Sequence, residues 1–110
     1  MVLAKYLLRG SYTSEAWAAQ VKDPKNRIEA VRPVFDQLGG SIESAYFAFG
    51  DDDLVLIMEM PDNVSAAALS IAVAAGGAVN NIKTVPLMSM DEGLEAIKKA
   101  GPAGYRPPSA

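Results

Sequence analysis

Leu54-Val55-Leu56-Ile57-Met58-Glu59-Met60-Pro61-Asp62 is the stretch on which the fold turns. Its apolar run ends at a proline, as a strand does. Leu54, Leu56 and Met58 share one parity, and Val55 and Ile57 the other. A strand built from these residues is apolar on both faces, because side chains alternate across a sheet. Such a strand belongs in the centre of a sheet. Gly50-Asp51-Asp52-Asp53 before it reads as a hairpin turn, which makes residues 41–49 its antiparallel neighbour. Asp62 after it is positioned to cap a helix over residues 63–75. That helix is rich in alanine, and small side chains let its axis lie close to a sheet. Gly76-Gly77 stops it.

The N-terminal half repeats the pattern. Residues 2–9 read as a strand, with Leu3 and Leu7 on one parity and Val2, Ala4 and Leu8 on the other. Gly10-Ser11-Tyr12-Thr13-Ser14 reads as the turn that ends it. Thr13 or Ser14 then caps a helix carrying Trp17 and Val21. Asp23-Pro24 reads as a fresh start, with Asp23 as cap and Pro24 in the first helical position. Ile28, Val31, Phe35 and Leu38 follow at helical spacing. Pro33 interrupts them, and an interior proline costs about 3 kcal/mol, so a kink is expected there. Gly39-Gly40 is a stop. Residues 79–88 form a fourth strand, and Pro86 places it at an edge. Ser89-Met90-Asp91-Glu92 is a capping box opening a short helix to Lys99, with Leu94 and Ile97 on its apolar side. Residues 101–110, with three prolines and two glycines, read as a frayed tail.

The order is β-α-β-β-α-β plus a terminal helix. It predicts an α+β, ferredoxin-like sandwich with a four-stranded antiparallel sheet, as one domain over residues 1–100. The first and third strands lie in the centre of such a sheet, and they are the two that are apolar on both faces. Two helices cover one face only. The other needs a partner, since monomers rarely expose apolar patches beyond a few hundred Å². Self-association through the sheet, as a dimer or higher oligomer, is therefore expected. The alternative is that the terminal helix folds across the open face, although its length covers only part.

Composition narrows the function classes. The chain has 110 residues, half of them apolar and 21% charged, which is a globular composition. It has no cysteine, so no disulfide or thiolate site, and no histidine, so it lacks the commonest metal ligand and general base. A net charge of −3 gives no electrostatic case for binding nucleic acid. The longest uncharged stretch, residues 64–79, falls short of the roughly 20 residues of a membrane span and reads as a buried helix. Lys5 interrupts the apolar N-terminus, which does not read as a signal peptide. A cytoplasmic protein without cofactor, metal, membrane or nucleic-acid partner is expected.

Phe49-Gly50-Asp51-Asp52-Asp53-Leu54-Val55-Leu56 carries a resemblance to the GYD domain proteins, a family of small bacterial proteins. It is supported by Leu7-Leu8 after Lys5-Tyr6, by Arg27-Ile28-Glu29-Ala30-Val31 running to Leu38-Gly39-Gly40, and by Met60-Pro61-Asp62 before an alanine-rich helix. The resemblance spans residues 3–95. It implies a ferredoxin-like fold of the dimeric α/β-barrel type and little about activity, since the family is largely of unknown function. Asp52 stands where the family has a tyrosine. Proteins of related fold include cofactor-free monooxygenases, which is an analogy of fold alone.

Six residues are candidates for binding a ligand: Lys5, Arg9, Ser11, Trp17, Tyr46 and Asp53. Lys5 in a central strand either enters a pocket, where burial lowers its pKa, or lies at a subunit seam beside a carboxylate such as Glu59. Arg9 with Ser11 to Ser14 forms either an anion site before a helix or a plain turn and cap. Asp51, Asp52 and Asp53 offer oxygen ligands to a hard cation, or form a solvated hairpin in which Asp53 bonds its own turn. Tyr46 lines a pocket with Trp17, or packs in the core or interface. Aromatics on such a sheet also suit stacked bases, but Tyr46, Phe47 and Phe49 lack the basic, glycine-rich run that accompanies them. Met58, Met60, Met88 and Met90 read as gap fillers at the core or a subunit contact. Three functions fit. One is a homo-oligomeric module holding a small ligand between sheet and helices. Another is a cofactor-independent monooxygenase or isomerase-like enzyme working through Lys5, Tyr46, Trp17 and a carboxylate such as Asp53 or Glu59. The third is a trimeric, metabolite-sensing regulator with an anion at residues 11–14.

Overall fold

The computed structural model describes residues 3–108. The expected strand start at Val2 and the last two tail residues lie outside them. The elements are β1 (Ala4–Tyr12), α1 (Ser14–Lys22), α2 (Arg27–Gln37), β2 (Ser41–Phe47), β3 (Leu54–Met60), α3 (Asn63–Ala75), β4 (Val79–Pro86) and α4 (Met90–Ala100). The strands form one antiparallel sheet in the order β2-β3-β1-β4. This is the ferredoxin-like arrangement read from the sequence. The two strands that are apolar on both faces, β1 and β3, occupy its centre, and β4 lies at an edge with Pro86 as its last residue.

Parity sorts the sheet into two faces. Along β3, Leu54, Leu56, Met58 and Met60 are buried, whereas Val55, Ile57 and Glu59 are only partly covered. Tyr6 and Leu8 of β1 join the buried set, with Phe35 of α2 and Ala66 and Leu69 of α3. This is the core, between the sheet and its helices. Burying each large apolar side chain there contributes about 1.5–3 kcal/mol. Met58 and Met60 fill it as expected, while Met88 and Met90 are exposed. The Ser70 and Thr84 hydroxyls hydrogen-bond and tie α3 to β4. The opposite face carries Leu7, Arg9, Val55, Ile57 and Val85, and no buried residue. The terminal helix does not cover it. Every α4 residue except Gly93 is exposed, with Leu94 at 50% and Ile97 at 70%.

Several boundaries differ from the sequence reading. The first strand does not stop at Arg9 but continues through Gly10, Ser11 and Tyr12, with a register shift between Arg9 and Ser11. A bulge absorbs the turn-forming residues. Gly10 allows it, since a Cβ there would lie 2.6 Å from Val79 Cγ1. The second helix starts at Arg27, capped by Asn26, whose Oδ1 accepts from the Ile28 N–H at 3.0 Å. Asp23 instead closes α1, its N–H donating to the Ala19 carbonyl at 3.0 Å. Pro33 does not break α2. It lies on the exposed side, where water can satisfy the carbonyl it leaves unpaired. Strands β2 and β4 each end two residues earlier than expected, at Phe47 and Pro86. The loop between β2 and β3 is closed by the Ala48 N–H on the Asp53 carbonyl at 2.8 Å.

The helix stop at residues 39–40 has two separate causes. Gly39 has φ +78°, in the left-handed region. Gly40 lies against β3, where a Cβ would meet the Glu59 carbonyl oxygen at 2.5 Å.

A candidate ligand cavity and a charged sheet face

The open face is rimmed by two charge clusters. Lys5 Nζ donates to Glu43 and lies 3.9 Å from Glu59. The hydrogen bond to Glu43 and its charge hold the Lys5 pKa above the usual lysine value, with Glu59 adding to the effect. Lys5 therefore does not enter a pocket with a lowered pKa. It is an ammonium paired with Glu43, with Glu59, the carboxylate named from the sequence, 3.9 Å away. In the second cluster, Arg9 and Lys83 are directly opposite on β1 and β4. Like charges in that relation repel. Asp52 stands between them, 2.9 Å from Lys83 Nζ and 3.8 Å from Arg9 Nε, with its side chain only 10% exposed. Sequence reasoning missed this role because the opposition of Arg9 and Lys83 exists only once the register is known.

Asp53 and its neighbours form a tie on the other face. Asp53 Oδ2 accepts from the Tyr12 N–H at 3.0 Å and from Trp17 Nε1–H at 3.3 Å. The Asp53 side chain thus does not bond its own turn; it joins the start of β3 to the end of β1 and to α1. Trp17 packs edge-on to Tyr12 at 5.1 Å and lies 6.0 Å from Phe47, between ring centres. The ring beside Trp17 is Phe47. Tyr46 pairs with Val55, on the parity of the open face, and lines a groove at the β2 edge to which Trp17 does not contribute. At the anion site weighed at Gly10 to Ser14, the Ser11 and Thr13 groups are committed within the chain, while the Tyr12 hydroxyl is not. Ser11 Oγ donates to the Asp51 carbonyl at 3.2 Å, the Thr13 N–H to the Ala78 carbonyl at 3.0 Å, and Thr13 Oγ1 caps α1 by accepting from the Ala16 N–H at 3.1 Å. Of the six candidates, Trp17 and Asp53 are brought together, Lys5, Arg9 and Tyr46 share the open face, and Ser11 bonds the hairpin loop.

Between the sheet and α2 and α3 lies an apolar cavity of about 280 Å³. Its walls include Leu8, Val31, Phe35, Leu56, Leu69 and Val73. Beside it a groove of about 500 Å³ runs along the start of α2 and the β2 edge. Tyr12 and Arg27 line both spaces. No carboxylate lines the cavity. Arg27 has no acidic partner among the described residues, whereas its neighbours Lys25 and Arg32 are paired with Asp23 and Glu29, each at 3.1 Å. The Tyr12 phenol is pushed above the usual tyrosine value, first by burial, with the Arg27 charge opposing and Asp53 adding. It is a neutral hydrogen-bond donor at neutral pH. Arg27 escaped the sequence reading as a site residue. The only signal was a cation in the first turn of a helix, the end at which the helix dipole disfavours it.

Among the described residues, no group of three or more metal-ligating side chains is arranged to hold an ion, and no helix is long and apolar enough to cross a membrane. The family described as the GYD domain matches residues 6–97 of the chain. No curated protein and no solved structure matches it. The chain belongs to the GYD domain family.

Proposed function

We propose that this GYD domain protein is a self-associating binding module. Copies pack through the open faces of their sheets, and each holds a small ligand between its sheet and helices. The observation that carries the reading is the face of β1 and β3 opposite the core, where Leu7, Val55 and Ile57 are only partly buried while almost all of α4 lies exposed. Two such sheets laid face to face bury those side chains in a barrel-type dimer. The clusters of Lys5 with Glu43 and Glu59, and of Asp52 with Arg9 and Lys83, then form a charged rim around an apolar centre. That is the usual anatomy of a protein interface. The cavity favours holding over transforming a molecule, since its lining is apolar apart from Arg27 and the Tyr12 phenol.

Native mass spectrometry of the full chain tests the assembly. The expected species is a multiple of the 11.6 kDa chain, with a dimer as the barrel-type reading. Ile57→Lys should weaken association roughly 30-fold or more, the factor for an interface hot spot of about 2 kcal/mol, while the far-UV circular dichroism stays unchanged. Leu56→Lys, on the core face, should unfold the chain instead. A wild-type monomer at tens of micromolar refutes the assembly, and a trimer refutes the dimeric barrel. Any mass retained on the native complex reports on the cavity in the same spectrum.

A further inference from the structure

We infer that the cavity between the sheet and α2 and α3 takes an organic monocarboxylate, with its apolar body against Leu8, Leu56, Leu69 and Val73 and its carboxylate on Arg27 and Tyr12. This rests on the binding-module reading and names the chemical class of its ligand.

The cavity wall is almost wholly aliphatic and aromatic, so it selects an apolar body. Tyr12 and Arg27 line both the cavity and the adjoining groove, and the Arg27 charge acts on the Tyr12 phenol; Glu43, which also lines the groove, is held by Lys5. Neither the Arg27 guanidinium nor the Tyr12 hydroxyl has a hydrogen-bond or ion-pair partner among the described residues, although the other cations bordering the groove are paired. Both are donors, and a guanidinium is donor only. A carboxylate is a single group that accepts from both and carries a negative charge. A cationic ligand would meet Arg27 with no carboxylate in the cavity to oppose it. A neutral alcohol would leave the guanidinium charge unanswered. The position of Arg27 in the first turn of α2 adds to the argument, since an anion there is favoured by the helix end as well as by the side chain. The Tyr12 pKa, raised by burial, keeps the phenol protonated as a donor through neutral and mildly alkaline pH.

The test is a calorimetric titration of the full chain at pH 7 with octanoate and, separately, with 1-octanol, which has the same apolar body and no charge. Octanoate is expected to bind at least tenfold more tightly. Arg27→Gln, at an exposed position, should bring the two affinities to within about twofold by weakening octanoate alone. Tyr12→Phe should narrow the preference less. Val73→Trp should block both ligands by filling the cavity, and Ala72→Phe, at an exposed helix position, serves the same purpose should Val73→Trp misfold. Equal affinity of the wild-type chain for both probes overturns the carboxylate assignment. So does a preference that survives Arg27→Gln. If both probes bind equally and the cavity-filling variant abolishes binding, the module reading stands and only the anion assignment falls. If neither binds, the assignment and the ligand half of the module reading fall together, while assembly remains judged by native mass.

Discussion

Asp53 joins three elements through one side chain. Its carboxylate accepts from the Tyr12 backbone and from the Trp17 indole, and its own N–H donates to the Gly10 carbonyl at 2.9 Å. Replacing it by alanine leaves a part-buried backbone N–H and an indole N–H without acceptors. Such a loss costs about 1–3 kcal/mol. Asp53→Asn keeps one acceptor oxygen and should lose roughly half of that or less. Urea unfolding followed by Trp17 fluorescence measures both. An alanine variant as stable as the wild type would show that the tie is not a stabilising one. The sequence could mark Asp53 as a hairpin residue, but its partners, Tyr12 and Trp17, lie 41 and 36 residues away. Asp52 has the same history. Its bridging of Arg9 and Lys83 follows from strand register, which no local pattern prints. Tyr46 and Phe47 were indistinguishable by type. A register shift between Ile42 and Ser44 helps to decide which ring meets Trp17.

Helix starts were legible where one good cap stood alone. Asp62 and Ser89 were both read correctly, and the reciprocal bonds of the Ser89 box are present. At residues 23–26 two capable caps compete, and the choice falls to Asn26 because the Asp23 N–H is still bonded inside α1. The first strand was cut short because Gly10 and Ser11 have the composition of a turn, and a bulge uses the same residues. Asp62 gives the element scale its prediction. Its Oδ1 accepts from the Ser65 N–H at 2.8 Å, and hydrogen bonding to Ser65 holds its pKa below the usual value of 3.8. A carboxyl with a lowered folded pKa binds its proton less tightly when folded. Its stabilising effect is therefore present above the unfolded pKa and is lost as pH falls through the folded one. Melting temperatures measured from pH 6 down to pH 2 should fall less steeply for Asp62→Asn than for the wild type, with the curves converging at the acid end. Parallel curves would mean that the cap does not titrate with folding.

At the scale of the whole molecule, the two-faced sheet was legible because both parities of β1 and β3 are apolar. The same fact hid which parity faces the helices, and only packing decides it. The shape adds what no sequence pattern contains. A compact chain of this length has a radius of gyration of about 13 Å. Here it is 17.5 Å, with extents of 57 × 40 × 22 Å. Much of the excess is consistent with α4, an exposed helix set off from the packed body. Its capping box supplies local stability, but an isolated helix shorter than about 12–15 residues is marginal in water, and Gly93 inside it costs about a further 1 kcal/mol relative to alanine. Amide hydrogen exchange should therefore separate the chain into two classes. Residues of β1 and β3, paired on both sides, should exchange orders of magnitude more slowly than residues 90–100, whose amides should approach unprotected rates in dilute solution. Protection in α4 equal to that of β3 would contradict this, because the helix ladder alone cannot hold eleven residues that firmly. Leu94 and Ile97 would then need a surface to lie against. Among the described residues, none of their own chain buries them.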